Sequence, residues 1–196
     1  MMRNAIELRC PAKLNLFLHI VGRRDDGYHL LQSVFQLIDW CDVLTLRHIP
    51  ENAVRRIDPI PGVPPAEDLV VRAAQLLRDF CKTESGVEIS LKKNIPMGAG
   101  LGGGSSDAAS TLIGLNALWD LDLSIATLCQ LGLKLGADVP FFIFGQNAFV
   151  EGVGEKLQAI SLETQDFVVI YPNKGIATAQ IFQDPQLTRD HAPITI

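Results

Sequence analysis

Five glycines fall within seven residues, at positions 98, 100, 102, 103 and 104, and a helical pattern begins directly behind them. Such a run is costly to order, because glycine loses more backbone freedom on folding than any other residue. A linker would lead into more flexible sequence. Here the segment after Ser105, Ser106 and Asp107 instead places Ala108, Leu112, Leu115 and Trp119 on one helical face. Ahead of the loop, Val87, Ile89 and Leu91 alternate with Glu88, Ser90 and Lys92 as in a half-buried strand, which leaves through Lys92-Lys93-Asn94-Ile95-Pro96. The unit is therefore strand, glycine loop and helix, with the helix predicted to start at Ser105 or Ser106. Glycines let consecutive N–H groups converge on one point, and the helix adds the positive end of its dipole. That arrangement suits phosphate oxygens; the alternative is a tight turn that binds nothing.

Toward the N-terminus, Ile6, Leu8 and Cys10 share one face of a first strand, and after Pro11 the set Leu14, Leu16, Leu18 and Ile20 predicts a second. Lys13, Asn15, Phe17 and His19 occupy the face opposite those leucines, so a cation and an amide stand side by side. An apolar stretch ending at Ile38 and a strand over Val43 to His48 complete a meander. Prolines 50, 59, 61 and 64 with Gly62 predict a loop. Glu67 and Asp68 then open a helix carrying Leu69, Val70, Ala73, Leu76, Leu77 and Phe80 at amphipathic spacing. A further helix, capped by Ser124, is predicted to end at a left-handed Gly136. Ala148 to Val150 and Phe167 to Tyr171 read as strands, and residues 177–182 as a short helix. The fold class is α/β of the α+β type, strands early and helices later, with many antiparallel neighbours.

With 196 residues, 47% hydrophobic and 20% charged, the chain has the composition of a globular core, which excludes disorder, collagen and coiled coil. Its longest apolar run, Val139 to Phe144 with Pro140 inside it, falls far short of the roughly 18 residues that span a bilayer. Leu14 to Val21 imitates a secretory signal, but Asn15 and His19 interrupt it and Gly22-Arg23-Arg24-Asp25-Asp26 stands where cleavage should occur, so a cytoplasmic protein is expected. Cys10, Cys41, Cys81 and Cys129 are too widely spaced for a metal cluster and read as reduced thiols. A net charge of −5 and a pI near 5.3 leave no global field for a nucleic acid. A small phosphorylated ligand needs only local positive charge.

Three phosphate motifs compete for the loop. Gly98, Gly100 and Gly103 satisfy the dinucleotide fingerprint G-x-G-x-x-G, yet residues 92–96 separate them from the strand, and Asp120 or Asp122, at the distance of the acidic partner, sits in a turn between helices. The Walker A pattern fails because its lysine position is Gly104. The string PMGAGLGGGSSDAA, from Pro96 to Ala109, closely resembles the P-x-x-x-G-L-G-x-[GS]-S-S loop of the GHMP kinases, which bind ATP phosphates with it. PAKLNLFLHIVGRRDDGYHLLQSVF (Pro11 to Phe35) and LGADVPFFIFG (Leu135 to Gly145) resemble the same family in the same order, and the likeness runs from about Pro11 to Asp184.

The resemblance implies a small-molecule kinase with ATP as phosphoryl donor, Mg²⁺ bridging its phosphates, and an acceptor alcohol that carries a cytidine diphosphate. It implies a family N-terminal domain, akin to domains of ribosomal proteins and elongation factors, over residues 1–155. Residues 156–196 would begin a second domain that is truncated. A monomer or weak homodimer is expected, with neither membrane nor nucleic-acid partner. In the family the residue matching Asp138 is the base and the one matching Lys13 its partner; the residues alone favour a surface turn and a solvated lysine. ATP would contact Lys93, Pro96, Met97, Gly98, Ala99, Gly100, Leu101, Gly102, Gly103, Gly104, Ser105 and Ser106, the two serines being helix caps otherwise. Acceptor contacts would come from Asn15, Tyr28, His29, Thr178 and Phe182, with Tyr28 and Phe182 offering faces to the cytosine ring. No residue is assigned to metal. Asp68 stands where the family commonly has asparagine near the adenine. A dinucleotide-binding redox module and an RNA-binding module are the alternatives from other functional classes.

Overall fold

The computed structural model describes residues 4–175, 181–182 and 184–196. Its centre is a pair of long antiparallel strands, β1 (Ala5–Arg23) and β2 (His29–Ile49). Each was expected as two shorter strands. Pro11 does not end β1, because it lies at a register shift opposite Cys41, and a bulge tolerates a residue without an N–H. A second shift between Asn15 and Leu18 overturns the expected alternation. Lys13 is 4% exposed, whereas Leu16 and Leu18 are 42% and 38% exposed. The extra residue between Asn15 and Leu18 turns the strand beyond it, Leu18 included, to the other face, whereas Lys13, which precedes it, is covered by the loop at Leu101 and by Asp138.

On its other edge β2 has neighbours in two blocks. Residues 43–49 pair with β4 (Gly86–Lys92) and residues 31–35 with β5 (Ala148–Gly152), both antiparallel. Between them, residues 36–42 have no ladder partner on that edge among the described residues. The chain leaving β4 crosses this gap. Asn94 Nδ2 donates to the Cys41 carbonyl at 2.7 Å, and Ile95 and Leu101 pack with Ala12 in a small apolar cluster beneath the glycine loop. β3 (Val54–Arg56), within the expected proline loop, runs parallel to β4, and β6 (Lys156–Ala159) extends the sheet beyond β5. The order is β3-β4-β2-β5-β6, with β1 on β2.

Four helices complete the fold: α1 (Leu69–Cys81), α2 (Gly103–Leu118), α3 (Ile125–Leu133) and α4 (Val139–Phe144). α2 lies on β1 and β2, with α1 and α4 beside it and α3 against α4. Gly114 permits the close approach: a Cβ there would stand 2.5 Å from Leu46 Cδ1 and 2.6 Å from Leu8 Cδ1. α2 starts at Gly103, earlier than expected, with left-handed Gly102 as its cap. Ser105 and Ser106 are therefore inside the first turn and are not caps. Ser124 caps α3 as expected, but that helix ends at Leu133, and the left-handed glycine is Gly145, φ +70°, which closes α4. Gly136 is not left-handed.

Phe167 to Tyr171 is not a strand; no neighbouring strand supplies it with a ladder among the described residues, and Val168 and Ile170 are exposed. Of the helix expected over 177–182, only 181 and 182 are described, and both are helical. Asp120 and Asp122 sit in left-handed turn conformations between α2 and α3, and β4 is antiparallel to β2, so the dinucleotide fingerprint lacks its structural setting. No helix among the described residues is long and apolar enough to cross a membrane.

Candidate active site

The glycine loop borders a cavity of about 670 Å³. Left-handed conformations at Gly98, Gly100 and Gly102, φ +69° to +74°, fold the loop inward. At Gly102 space is as decisive as φ, since a Cβ would lie 2.7 Å from Phe142 Cζ and 3.1 Å from Lys13 Cγ. Ser106 N donates to Gly102 O at 2.9 Å, the first bond of the α2 ladder. The amides of Gly103, Gly104 and Ser105 precede that bond and have no partner within their helix. Loop residues 96 to 105 all line the cavity, while Ser106 is buried behind them, its Oγ without a partner among the described residues.

On one side of the loop, β1 delivers Lys13 and α4 delivers Asp138. Lys13 Nζ lies 3.4 Å from Asp138 Oδ2, donates to Asn15 Oδ1 at 2.7 Å and sits 4.3 Å from the centre of the Phe35 ring. Burial pulls the Lys13 ammonium below the usual lysine range, opposed by Asp138. The Lys13 amide donates to Leu101 O at 2.9 Å, fixing strand to loop. Asp138 precedes α4 without capping it, so its carboxylate is not engaged by its own helix. Lys13 does not reach into solvent. The two residues expected as base and partner stand together in the cavity wall with Asn15.

Lys93 lies beneath the loop between two buried carboxylates. Its Nζ donates to Asp42 and, at 2.7 Å, to Asp107 Oδ2. Burial disfavours the charged Lys93, but Asp107 and Asp42 outweigh it and raise the pKa. Asp42 also accepts the amides of Asn94 (2.5 Å) and Ile95 (2.8 Å). Neither aspartate was singled out in the sequence: Asp42 carries no motif, and Asp107 lies in one without an assigned role.

Burial pushes the Asp107 carboxyl up to about 7, against the pull of Lys93. An acid with a raised folded-state pKa binds its proton more tightly in the native chain. Stability therefore falls as pH rises from about 4, where an unfolded aspartate ionises, to the folded value near 7. Asp107→Asn removes this dependence. The melting temperature of the variant relative to wild type is expected to climb between about pH 5 and about pH 8, and a flat difference would count against it.

The acceptor residues are only partly assembled. His29 stacks directly on Phe182, with centroids 5.2 Å apart and planes 17° apart, which leaves no room for a third ring between them. Tyr28 is exposed and does not line the cavity, whereas Phe182 does. Thr178 lies outside the described residues.

A model of the "GHMP kinases N terminal domain" matches residues 68–146. The chain is 78% identical over 193 residues to a protein of Polynucleobacter necessarius subsp. necessarius named 4-diphosphocytidyl-2-C-methyl-D-erythritol kinase, covering 98% of this chain and 65% of that one. A protein of the same name from Ralstonia pickettii is 59% identical over 194 residues, covering 97% of this chain and 67% of its own length. The chain thus spans about two thirds of the curated relatives it matches. Among solved structures, a crystal structure of 4-(cytidine 5'-diphospho)-2C-methyl-D-erythritol kinase superposes with a TM-score of 0.71 at 41% identity, over 81% of this chain and 56% of that one.

Proposed function

The chain belongs to the GHMP kinases, in the branch of the 4-diphosphocytidyl-2-C-methyl-D-erythritol kinases, and from that premise we propose that it transfers the γ-phosphoryl group of ATP to the 2-hydroxyl of 4-diphosphocytidyl-2-C-methyl-D-erythritol, in the non-mevalonate route to isoprenoid precursors. One observation carries the proposal: the Lys13–Asp138 pair, 3.4 Å apart, shares a cavity with the glycine-loop amides that have no partner within their helix. Phosphoryl transfer needs little covalent work from a protein; it needs two substrates positioned and charge stabilised. The amides of Gly103 to Ser105 hold phosphate oxygens at the positive end of α2. The Asp138 carboxylate accepts the proton of the attacking hydroxyl. Lys13 orients that carboxylate and offsets the negative charge that develops beside it, and Asn15 aligns Lys13 and the acceptor.

Mg²⁺ would enter with the phosphates of the nucleotide, held through them against the loop residues Gly103 to Ser105, and would neutralise charge on the phosphate oxygens. On the acceptor side, Phe182 offers an aromatic face to the cytosine ring once His29 swings away to read the base edge. The proposed domain division remains at 155/156, although β6 pairs with β5 across it.

The test is ATP turnover against a panel of alcohols: 4-diphosphocytidyl-2-C-methyl-D-erythritol, mevalonate, homoserine and galactose. The cytidine-bearing alcohol is expected to be the best acceptor. A better rate on any of the others overturns the assignment.

A further inference from the structure

Residues 184–196 belong to no helix or strand, yet they help to close the cavity: Leu187 lines it together with Phe182, and Ile20 of β1 lies in the same wall. Most of the segment is exposed, so burial does little to hold it and its polar anchors decide how well that wall is formed.

A row of three side chains crosses the sheet beneath it. His19 of β1 stands opposite Gln32 of β2, and Gln32 opposite Glu151 of β5. Residues directly opposite one another in antiparallel strands project from the same face. The segment lies along that row. His191 stacks on His19, with centroids 4.3 Å and planes 11° apart, and its amide donates to Ile20 O at 3.0 Å. Gln32, only 4% exposed, meets Ile194 as a neighbouring strand would. Its Oε1 accepts the Ile194 amide at 2.8 Å, and its Nε2 donates to the Ile194 carbonyl at 3.0 Å. Nε2 also donates to Glu151 Oε1 at 2.8 Å. Burying a side-chain amide is costly unless it is bonded, and most of this bonding exists only while the segment is docked.

Nearer the cavity, Arg189 gathers three carbonyls. Nη1 donates to Leu187 O at 2.8 Å, and Nη2 donates to Phe182 O at 2.8 Å and to Asp184 O at 2.6 Å. A planar guanidinium holds such acceptors in one fixed arrangement. It therefore ties Phe182 to the stretch that Gln32 and His19 anchor.

We propose that Gln32 and Arg189 are positioning residues for the acceptor alcohol: Gln32 docks the segment on the sheet, and Arg189 passes that position to Phe182 and Leu187. Neither side chain lines the cavity, so both act through the wall they hold. When the segment is docked only part of the time, the apparent affinity for the acceptor falls by the docked fraction. ATP, whose phosphates are expected on the glycine loop, is spared. The inference rests on the kinase reading, which supplies the acceptor, and its test keeps the two apart.

The 196-residue chain is titrated calorimetrically with 4-diphosphocytidyl-2-C-methyl-D-erythritol and, separately, with ATP. Gln32→Leu keeps the bulk of the side chain without its bonds to Ile194, and Arg189→Met keeps the stem without its donors. Each is expected to raise the acceptor Kd at least about tenfold and to leave that of ATP within about twofold. Arg189→Lys, a cation without the planar fork, is expected to recover part of the loss. In a Phe182→Leu background no ring remains to be positioned, so Gln32→Leu is expected to cost less than about threefold. Unchanged acceptor affinity in Gln32→Leu, an equal loss for ATP, or the full loss in the Phe182→Leu background overturns the inference and leaves the kinase assignment standing. A wild-type chain that does not bind this alcohol overturns the substrate assignment and the inference together.

Discussion

Asp138→Asn is expected to lower phosphoryl transfer about a hundred- to ten-thousandfold while changing ATP affinity by no more than about twofold. The asparagine amide fills the same space beside Lys13 but cannot take a proton from the attacking hydroxyl. ATP affinity is spared because the contacts expected for phosphates come from the loop amides and not from the carboxylate. Structural damage is a weak competing explanation, since Asp138 does not cap α4 and its removal leaves no helix end unsatisfied. Among the described residues the lost contact is the 3.4 Å pair with Lys13, whose ammonium keeps its bond to Asn15. Turnover and nucleotide binding measured on the same preparation decide the matter. Near-normal turnover removes Asp138 from its role as base, and parallel loss of both quantities makes it a structural residue.

How much of this was legible in the sequence differs from residue to residue. The glycine loop announced itself because left-handed backbone needs glycine, but which amides it frees did not, because α2 starts at Gly103 and not at Ser105 or Ser106. Lys13 was visible as a cation, but its burial was not, because it comes from tertiary contacts with the loop at Leu101 and with Asp138. The register shift between Asn15 and Leu18 leaves no trace in a hydrophobic pattern either, and Leu16 and Leu18 argued for a buried face there. β3 is three residues long among prolines, too short to show periodicity, and so its pairing with β4 was not expected. Asp42 was hidden for a similar reason. Its partners at 93, 94 and 95 come from a sheet gap that only tertiary pairing creates. The stacking of His29 on Phe182 joins residues 153 positions apart, and only the family resemblance placed them in one subsite.

That gap is also where the largest loss of stability is expected. Asp42→Ala should destabilise the chain by about 3–5 kcal/mol, the usual result of removing one member of a buried ion pair. Asp42 is wholly buried and accepts three donors: the Lys93 ammonium and the amides of Asn94 and Ile95. Alanine leaves both amides without an acceptor in a site that water does not readily enter. Lys93 is then held by Asp107 alone. For a domain of this size each kcal/mol corresponds to about 2–4 °C, so the melting temperature should fall by roughly 6–20 °C. The loss should also reach the ligand. Asn94 and Ile95 lead directly into Pro96, and Ile95 packs with Leu101 and Ala12 under the glycine loop, so freeing them unseats the amides that hold phosphate. Asp42→Asn keeps one acceptor oxygen and should lose about half as much. Thermal melting and nucleotide titration of both variants test the claim: a drop under about 2 °C in Asp42→Ala means that Asp107 alone suffices for Lys93. Unchanged nucleotide affinity despite a large drop separates the loop from its anchor and confines Asp42 to the stability of the sheet.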